Sequence, residues 1–198
     1  ALLAEAGLVK GERIGVDAST MEANAALRNI VRRDTGEDYQ EMLRRMAEES
    51  GVETPTAEDL IRLDRKRKGK KLSNQDWVSK SDPEARIAKM KDGTTHLAYK
   101  PEHAVDLDTG AVVAAALHPA DEGDTTTLSK TLAATKENLD AVDAAPTPDD
   151  PAECVADKGY HSRAVLKDLD AGPWKTRISA PKQNSPLTKS DLDAGSLV

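Results

Sequence analysis

Phenylalanine is absent from the 198 residues, and aromatic side chains of every kind make up 3% of them. A core of stacked rings is thereby excluded, and the interior has to be assembled from Leu, Val, Ile and Ala. Cysteine occurs once, at Cys154. A lone thiol rules out an internal disulfide and a zinc site made of cysteines, and it suits a reducing cytoplasm. Long apolar runs are missing as well. The longest, Ala111 to Leu117, fits a buried strand and falls far short of the roughly 20 residues that a bilayer requires. The opening ALLAEAGLVKGERIGVD brings acids early and lacks the basic-then-apolar order of a secretion signal. These absences predict a cytoplasmic chain with no membrane partner.

What is present is polar and unevenly charged. Hydrophobic residues account for 38% and charged residues for 32%, with a net charge of −7. That balance argues against a surface coated in nucleic acid, but an acidic average can hide a local phosphate-binding patch. The stretch RLDRKRKGKK, from Arg62 to Lys71, is strongly basic, whereas Asp121 to Asp124 and Asp140 to Glu153 are acidic. The length accommodates one α/β core, or one domain with a sizeable insertion.

Periodicity divides the chain. Ile14 and Val16 alternate in ERIGVDAST, which predicts a strand with Asp17 at its end. Apolar residues from Met21 to Glu49 recur at helical spacing, with a break at Thr35-Gly36. Thr56 is a candidate N-cap for TAEDLIRL. Beyond Thr94 the period changes to that of strands on either side of Asp108-Thr109-Gly110, a hairpin signal. Pro101 predicts an edge strand or an irregularity there. A helix capped at Asp124 should follow, with Leu128, Leu132 and Leu139 on or near one face. Then come a strand through Cys154 to Ala156, a helix that Gly172 can close, and a last strand in WKTRISAPK. Strand, helical insertion, hairpin, helix, strand, helix, strand describes an α/β mixed sheet with helices.

Two acids occupy matching places. Asp17 and Asp157 each end a short apolar strand and precede small or polar residues. Groups just beyond strand ends line the crevice where α/β sheets bind ligands, and hard cations such as Mg²⁺ take carboxylate oxygens while keeping waters for substrate phosphates. Strand-end aspartates are also common as turn and helix caps, and spacing alone favours that local role for each acid taken singly.

Three segments change the weighting: IGVDASTMEANAALRNIVRRDTGEDY, SDPEARIAKMKDGTTHLAYKPEHAVDLDTGAVVAAALHPADEGDT and VADKGYHS. Together they resemble a bacterial insertion-sequence transposase with a DDE catalytic domain, over about residues 7–182. The resemblance implies a ribonuclease-H-like mixed sheet flanked by helices, with a helical and basic insertion over about 21–92 inside a catalytic core of residues 1–182. It implies two divalent ions, Mg²⁺ or Mn²⁺, held by Asp17 and Asp157 as catalytic and metal-binding acids. DNA cleavage and strand transfer at element ends, on nucleoid DNA and by dimers, is the implied activity. The family's third carboxylate, a Glu on a later basic helix, is expected beyond residue 198. The tail over 183–198 has no convincing periodicity, and neither Asp191 nor Asp193 matches that motif. An incomplete core opens a second expectation, an inactive DNA-binding or interaction remnant, and a third, a nuclease acting by hydrolysis alone.

Other residues have competing roles. Lys158 and His161 flank the second acid and could touch a phosphate, or serve a turn in which Tyr160 is tucked inward. Arg62, Arg65, Lys66, Arg67, Lys68, Lys70 and Lys71 could grip a DNA backbone, with counterion release, or form a solvated run. Lys100 and His103 could face the crevice. Trp77 is expected to anchor the insertion, and Cys154 to be a small buried strand residue.

Overall fold

A computed structural model of the chain describes residues 2–70 and 72–180; Lys71 and the tail with Asp191 and Asp193 lie outside these residues. The elements in order are α1 (Leu2–Glu5), β1 (Arg13–Ala18), β2 (Met21–Glu22), β3 (Ile30–Arg32), α2 (Tyr39–Glu49), α3 (Ala57–Lys66), β4 (Trp77–Ser79) and β5 (Arg86–Lys89). They continue with β6 (Thr95–Asp106), β7 (Val112–Pro119), α4 (Asp124–Asp140), β8 (Ala152–Ala156), α5 (Arg163–Asp170) and β9 (Trp174–Ile178). Seven strands form one mixed sheet in which β6 pairs with β1, β2, β5 and β7, and β1 leads on to β8 and β9. With flanking helices and an insertion between β1 and β6, this is the α/β architecture that the sequence predicts. Because β6 has partners on both edges, it is no edge strand. The Pro101 carbonyl accepts from the Ser19 amide (3.0 Å).

The described residues divide into two compact units. The first lies within Ala1–Asp17, Ala104–Val113 and Leu128–Val198. Its strands β1, β8 and β9 run parallel, in registers Arg13↔Glu153 to Val16↔Ala156 and Ala152↔Trp174 to Ala156↔Ile178. Parallel strands need crossovers, and α5 supplies the one between β8 and β9. Alternation sorts the two faces. Ile14 and Val16 on β1, Ala152 and Cys154 on β8, and Trp174 on β9 are buried, as are Leu128, Leu132 and Leu139 on α4. Burial pushes the Cys154 thiol up to about 12, with Asp170 adding to the rise, so it stays protonated and inert at neutral pH.

A buried acid ties the start of this unit to its hairpin. Asp106, fully inaccessible, accepts from the backbone amides of Lys10 (2.6 Å) and Gly11 (3.0 Å) through Oδ2 and of Asp108 (3.0 Å) through Oδ1. Gly11 has a left-handed φ of 76°, and a Cβ there would collide with the Ala144 carbonyl oxygen; glycine lets the chain turn its amide onto the carboxylate. Burial alone would raise the Asp106 pKa, but the Gly11, Lys10 and Asp108 amides outweigh it and hold the carboxyl below its ordinary value.

The second unit takes in Ala18–His103 and Ala114–Thr127. β2 and β5 pair antiparallel with β6, while β3 and β4 form a separate ribbon, Ile30↔Ser79 to Arg32↔Trp77. The helix expected to start near Met21 begins at Tyr39 instead. The segment before it gives β2, a short 3₁₀ turn and β3, because Ile30 and Val31 are β-branched and find a partner strand in β4. Tertiary pairing overrides a helical spacing that Leu27, Ile30 and Val31 satisfy by coincidence. α3 starts after Thr56, as the sequence predicts, and α2 starts after Asp38. Each carries a full capping box, Asp38 with Glu41 and Thr56 with Asp59, satisfying backbone donors that would otherwise be orphaned.

Ile30, Met42, Leu43, Leu60, Trp77 and Leu97 are buried in one cluster, so Trp77 anchors the insertion as expected. Arg67 locks α2 to α3. Its Nε donates to Asp64 Oδ1 (2.6 Å), its Nη2 donates to Tyr39 Oη (2.5 Å), and Tyr39 Oη donates to the same Asp64 oxygen (2.8 Å). The guanidinium lies 5.3 Å from the Tyr39 ring centroid, and that ring lies 5.9 Å from Trp77. Lys100 is also buried, paired with Asp124 (2.5 Å) and donating to Thr127 Oγ1 (3.0 Å). Asp124 is the first residue of α4, and its carboxylate serves this pair.

Two stability effects follow. Asp106→Asn should cost about 1.5–3 kcal/mol at neutral pH, the range for hydrogen bonds to a charged group. A depressed folded pKa gives stability that is complete above the unfolded value and lost as pH falls toward the folded one, so the gap to the parent should narrow progressively below about pH 4 in urea titrations run across pH. Arg67→Ala should cost about 1–3 kcal/mol by the same measurement, whereas Arg65→Ala, on the exposed side of α3, should stay within about 0.5 kcal/mol of the parent.

A candidate metal-binding acid pair

β1 and β8 are adjacent and parallel, and their last registered pair is Val16↔Ala156. The next residue of each segment is an aspartate, Asp17 within β1 and Asp157 just past the end of β8. Side chains alternate, so Asp17 shares a face with Arg13 and Gly15, and Asp157 shares it with Glu153 and Val155. An ion pair between Arg13 Nε and Glu153 Oε2 (3.6 Å) marks that common face. Both acids are exposed.

Local chemistry fixes Asp157 more tightly than the strand end alone would. It caps a single 3₁₀ turn, Lys158–Tyr160, with its Oδ1 accepting from the Gly159 amide at 2.7 Å. The Gly159 amide holds one carboxylate oxygen of Asp157 and so restricts the orientation of the other. Tyr160, 1% exposed, anchors the turn by burial. Lys158 is exposed and His161 half-buried, with its amide donating to the Lys158 carbonyl (3.2 Å).

Gly15 shapes the floor beside Asp17. A Cβ on it would lie 2.6 Å from Leu107 Cδ2, so a larger residue would push the tip of Leu107 aside. The Leu107 amide donates to the Arg13 carbonyl (2.9 Å). Sequence reasoning passed over Gly15, because nothing local announces which side chain will cross it.

The basic run belongs to the second unit, and its members differ. Arg62, Arg65 and Lys66 are exposed on α3, and Lys68 and Lys70 follow, also exposed. Lys70 Nζ donates to the Arg65 carbonyl (3.0 Å), closing the end of the helix. Arg67 is occupied in the clamp with Tyr39 and Asp64, its side chain 11% exposed. Lys100 is itself buried and turned toward Asp124 at the start of α4, while His103 is exposed.

The donor set at the acid pair is all hard oxygen, which suits Mg²⁺ or Mn²⁺ bound by one or two carboxylates with waters and phosphate oxygens completing the shell. Among the described residues no group of three or more His, Cys, Asp or Glu side chains converges as a metal site. Among the same residues no helix is long and apolar enough to cross a membrane.

The family model described as a transposase DDE domain matches residues 60–196. That span covers well over half of the chain and includes Asp157, while Asp17 precedes it. No curated protein and no solved structure matches the chain. Sheet order, flanking helices and the family match agree with a ribonuclease-H-like DDE domain, and the chain belongs to the DDE transposase family.

Proposed function

We propose that this chain is the catalytic core of an insertion-sequence transposase, performing metal-dependent DNA cleavage and strand transfer with Asp17 and Asp157 as ligands of a Mg²⁺ or Mn²⁺ pair. The observation that carries this reading is the register. Two aspartates, one residue past Val16↔Ala156, end neighbouring parallel strands on one face, where a single ion or ion pair can meet both. The ions, when bound, supply positive charge at the phosphodiester and lower the pKa of a coordinated water.

The chain's own residues do the rest. Asp17 and Asp157 hold the ions, and the Gly159 amide keeps Asp157 in orientation. Lys158, exposed beside Asp157, contacts a flanking phosphate, with His161 as a second contact. DNA is the partner, both at element ends and at the target, and two protomers acting on paired ends would bring the cuts together. On α3 and after it, Arg62, Arg65, Lys66, Lys68 and Lys70 contact backbone phosphates, and Arg67 supports them by fixing the helix.

A second reading is favoured by the absence of a third ligand among the described residues. In it, the chain is an inactive DNA-binding remnant that keeps the fold without the metals. Calorimetric titration with Mn²⁺ separates the two. The parent should bind and the Asp17→Ala, Asp157→Ala double variant should not; equal affinity in both would remove the acid-pair site. For the basic run, replacing Arg62, Arg65 and Lys66 with Gln should weaken binding to duplex DNA. It should also flatten the slope of log affinity against log salt by about 0.9 for each phosphate that is no longer neutralised. An unchanged slope would return these residues to a solvated role.

A further inference from the structure

The face that carries Asp17 and Asp157 is ordered in rows by the strand registers. Arg13, Glu153 and Lys175 make one row, and Gly15, Val155 and Arg177 the next. The two aspartates stand in the row after that. Arg177 is therefore a diagonal neighbour of two carboxylates on β8, with Glu153 behind it and Asp157 ahead. Strand spacing and rise place each diagonal at roughly 8 Å between Cα atoms, within the span of an arginine side chain.

Arg177 has taken the rear position. Its Nε (3.0 Å) and Nη2 (2.8 Å) both donate to Glu153 Oε1, and Arg13 approaches the other oxygen of the same carboxylate. The grip is a shallow one. The Arg177 side chain is 53% exposed and that of Glu153 32%, and exposed ion pairs exchange partners at little cost.

This arrangement has two chemical consequences. A guanidinium free to swing forward would pair with Asp157 and occupy the oxygens that a cation needs, so Glu153 keeps the acid available. A phosphodiester lying over the acid row offers oxygens to a planar donor that binds such groups in bidentate fashion. We propose that Arg177 is a phosphate-binding residue of the acid-pair site, parked on Glu153 until a nucleic-acid phosphate takes the place of that carboxylate. The proposal rests on the assignment of Asp17 and Asp157 as the place where the phosphodiester is held.

A double-mutant cycle tests it. The affinity of the chain for a short DNA duplex would be measured across salt, with Ca²⁺ present as the hard cation. Arg177→Gln should weaken binding severalfold and reduce the salt slope by about 0.9, the value for one neutralised phosphate. Glu153→Gln should tighten binding in the parent, by releasing the guanidinium, and should give no gain once Arg177→Gln is present. Both sites lie on the surface, so the fold tolerates the changes. Tightening by Glu153→Gln of equal size in both backgrounds would come from net charge alone and would overturn the proposal. So would an Arg177→Gln variant with parental affinity and slope. Mn²⁺ binding that survives removal of both aspartates would instead eliminate the site itself, whereas aspartate-dependent Mn²⁺ binding with an additive cycle would eliminate only the role of Arg177.

Discussion

The parallel pairing of β1 with β8 is the constraint on which the proposed acid-pair site depends. Strand side chains repeat every second residue, so a slip of one position would send Asp157 to the opposite face from Asp17. Several features resist that slip. Ile14, Val16, Ala152 and Cys154 are all buried and would exchange places with charged neighbours. The Glu153 amide donates to the Glu12 carbonyl (2.8 Å), fixing the ladder at its start. The apolar face thus enforces an alignment that the polar face uses.

Charge within the chain is divided by whether a cation is satisfied. Arg67 and Lys100 are engaged by nearby acids or hydroxyls: Arg67 with Tyr39 and Asp64, and Lys100 with Asp124 and Thr127. They cement helices and strands, and removing them is felt in stability. Arg62, Arg65 and Lys66 project from α3 into solvent and contribute little to folding. Arg177 stands between these classes, engaged but exposed. A net charge of −7 conceals this division entirely, because it counts every cation alike.

Much of the fold was legible because it depends on local signals. The strand ends at Asp17 and Asp157, the hairpin at Asp108 to Gly110, the Thr56 cap and the α4 stripe of Leu128, Leu132 and Leu139 each follow from periodicity or turn chemistry within a few residues. What escaped were features set by distant partners. β3 looked helical because the strand that claims Ile30 and Val31 lies over forty residues downstream, at β4. Pro101 suggested an edge because the neighbours of β6 come from four separate segments. Arg67 looked like one more cation in a basic run, since Tyr39 is 28 positions away. The acids themselves were visible as strand-end residues, but their shared face requires the register, and the register is a property of the sheet.

The chain has two tryptophans, and each unit buries one: Trp77, 4% exposed, in the insertion and Trp174, 5% exposed, at the start of β9. Their surroundings differ, since an arginine guanidinium lies 5.7 Å from the Trp77 ring centroid while Trp174 sits in register with Ala152. The protein thus carries one built-in fluorophore per unit. Replacing either indole would leave a single tryptophan emitter, letting the loosening of the parallel strands be followed optically apart from that of the helical insertion, with no dye attached.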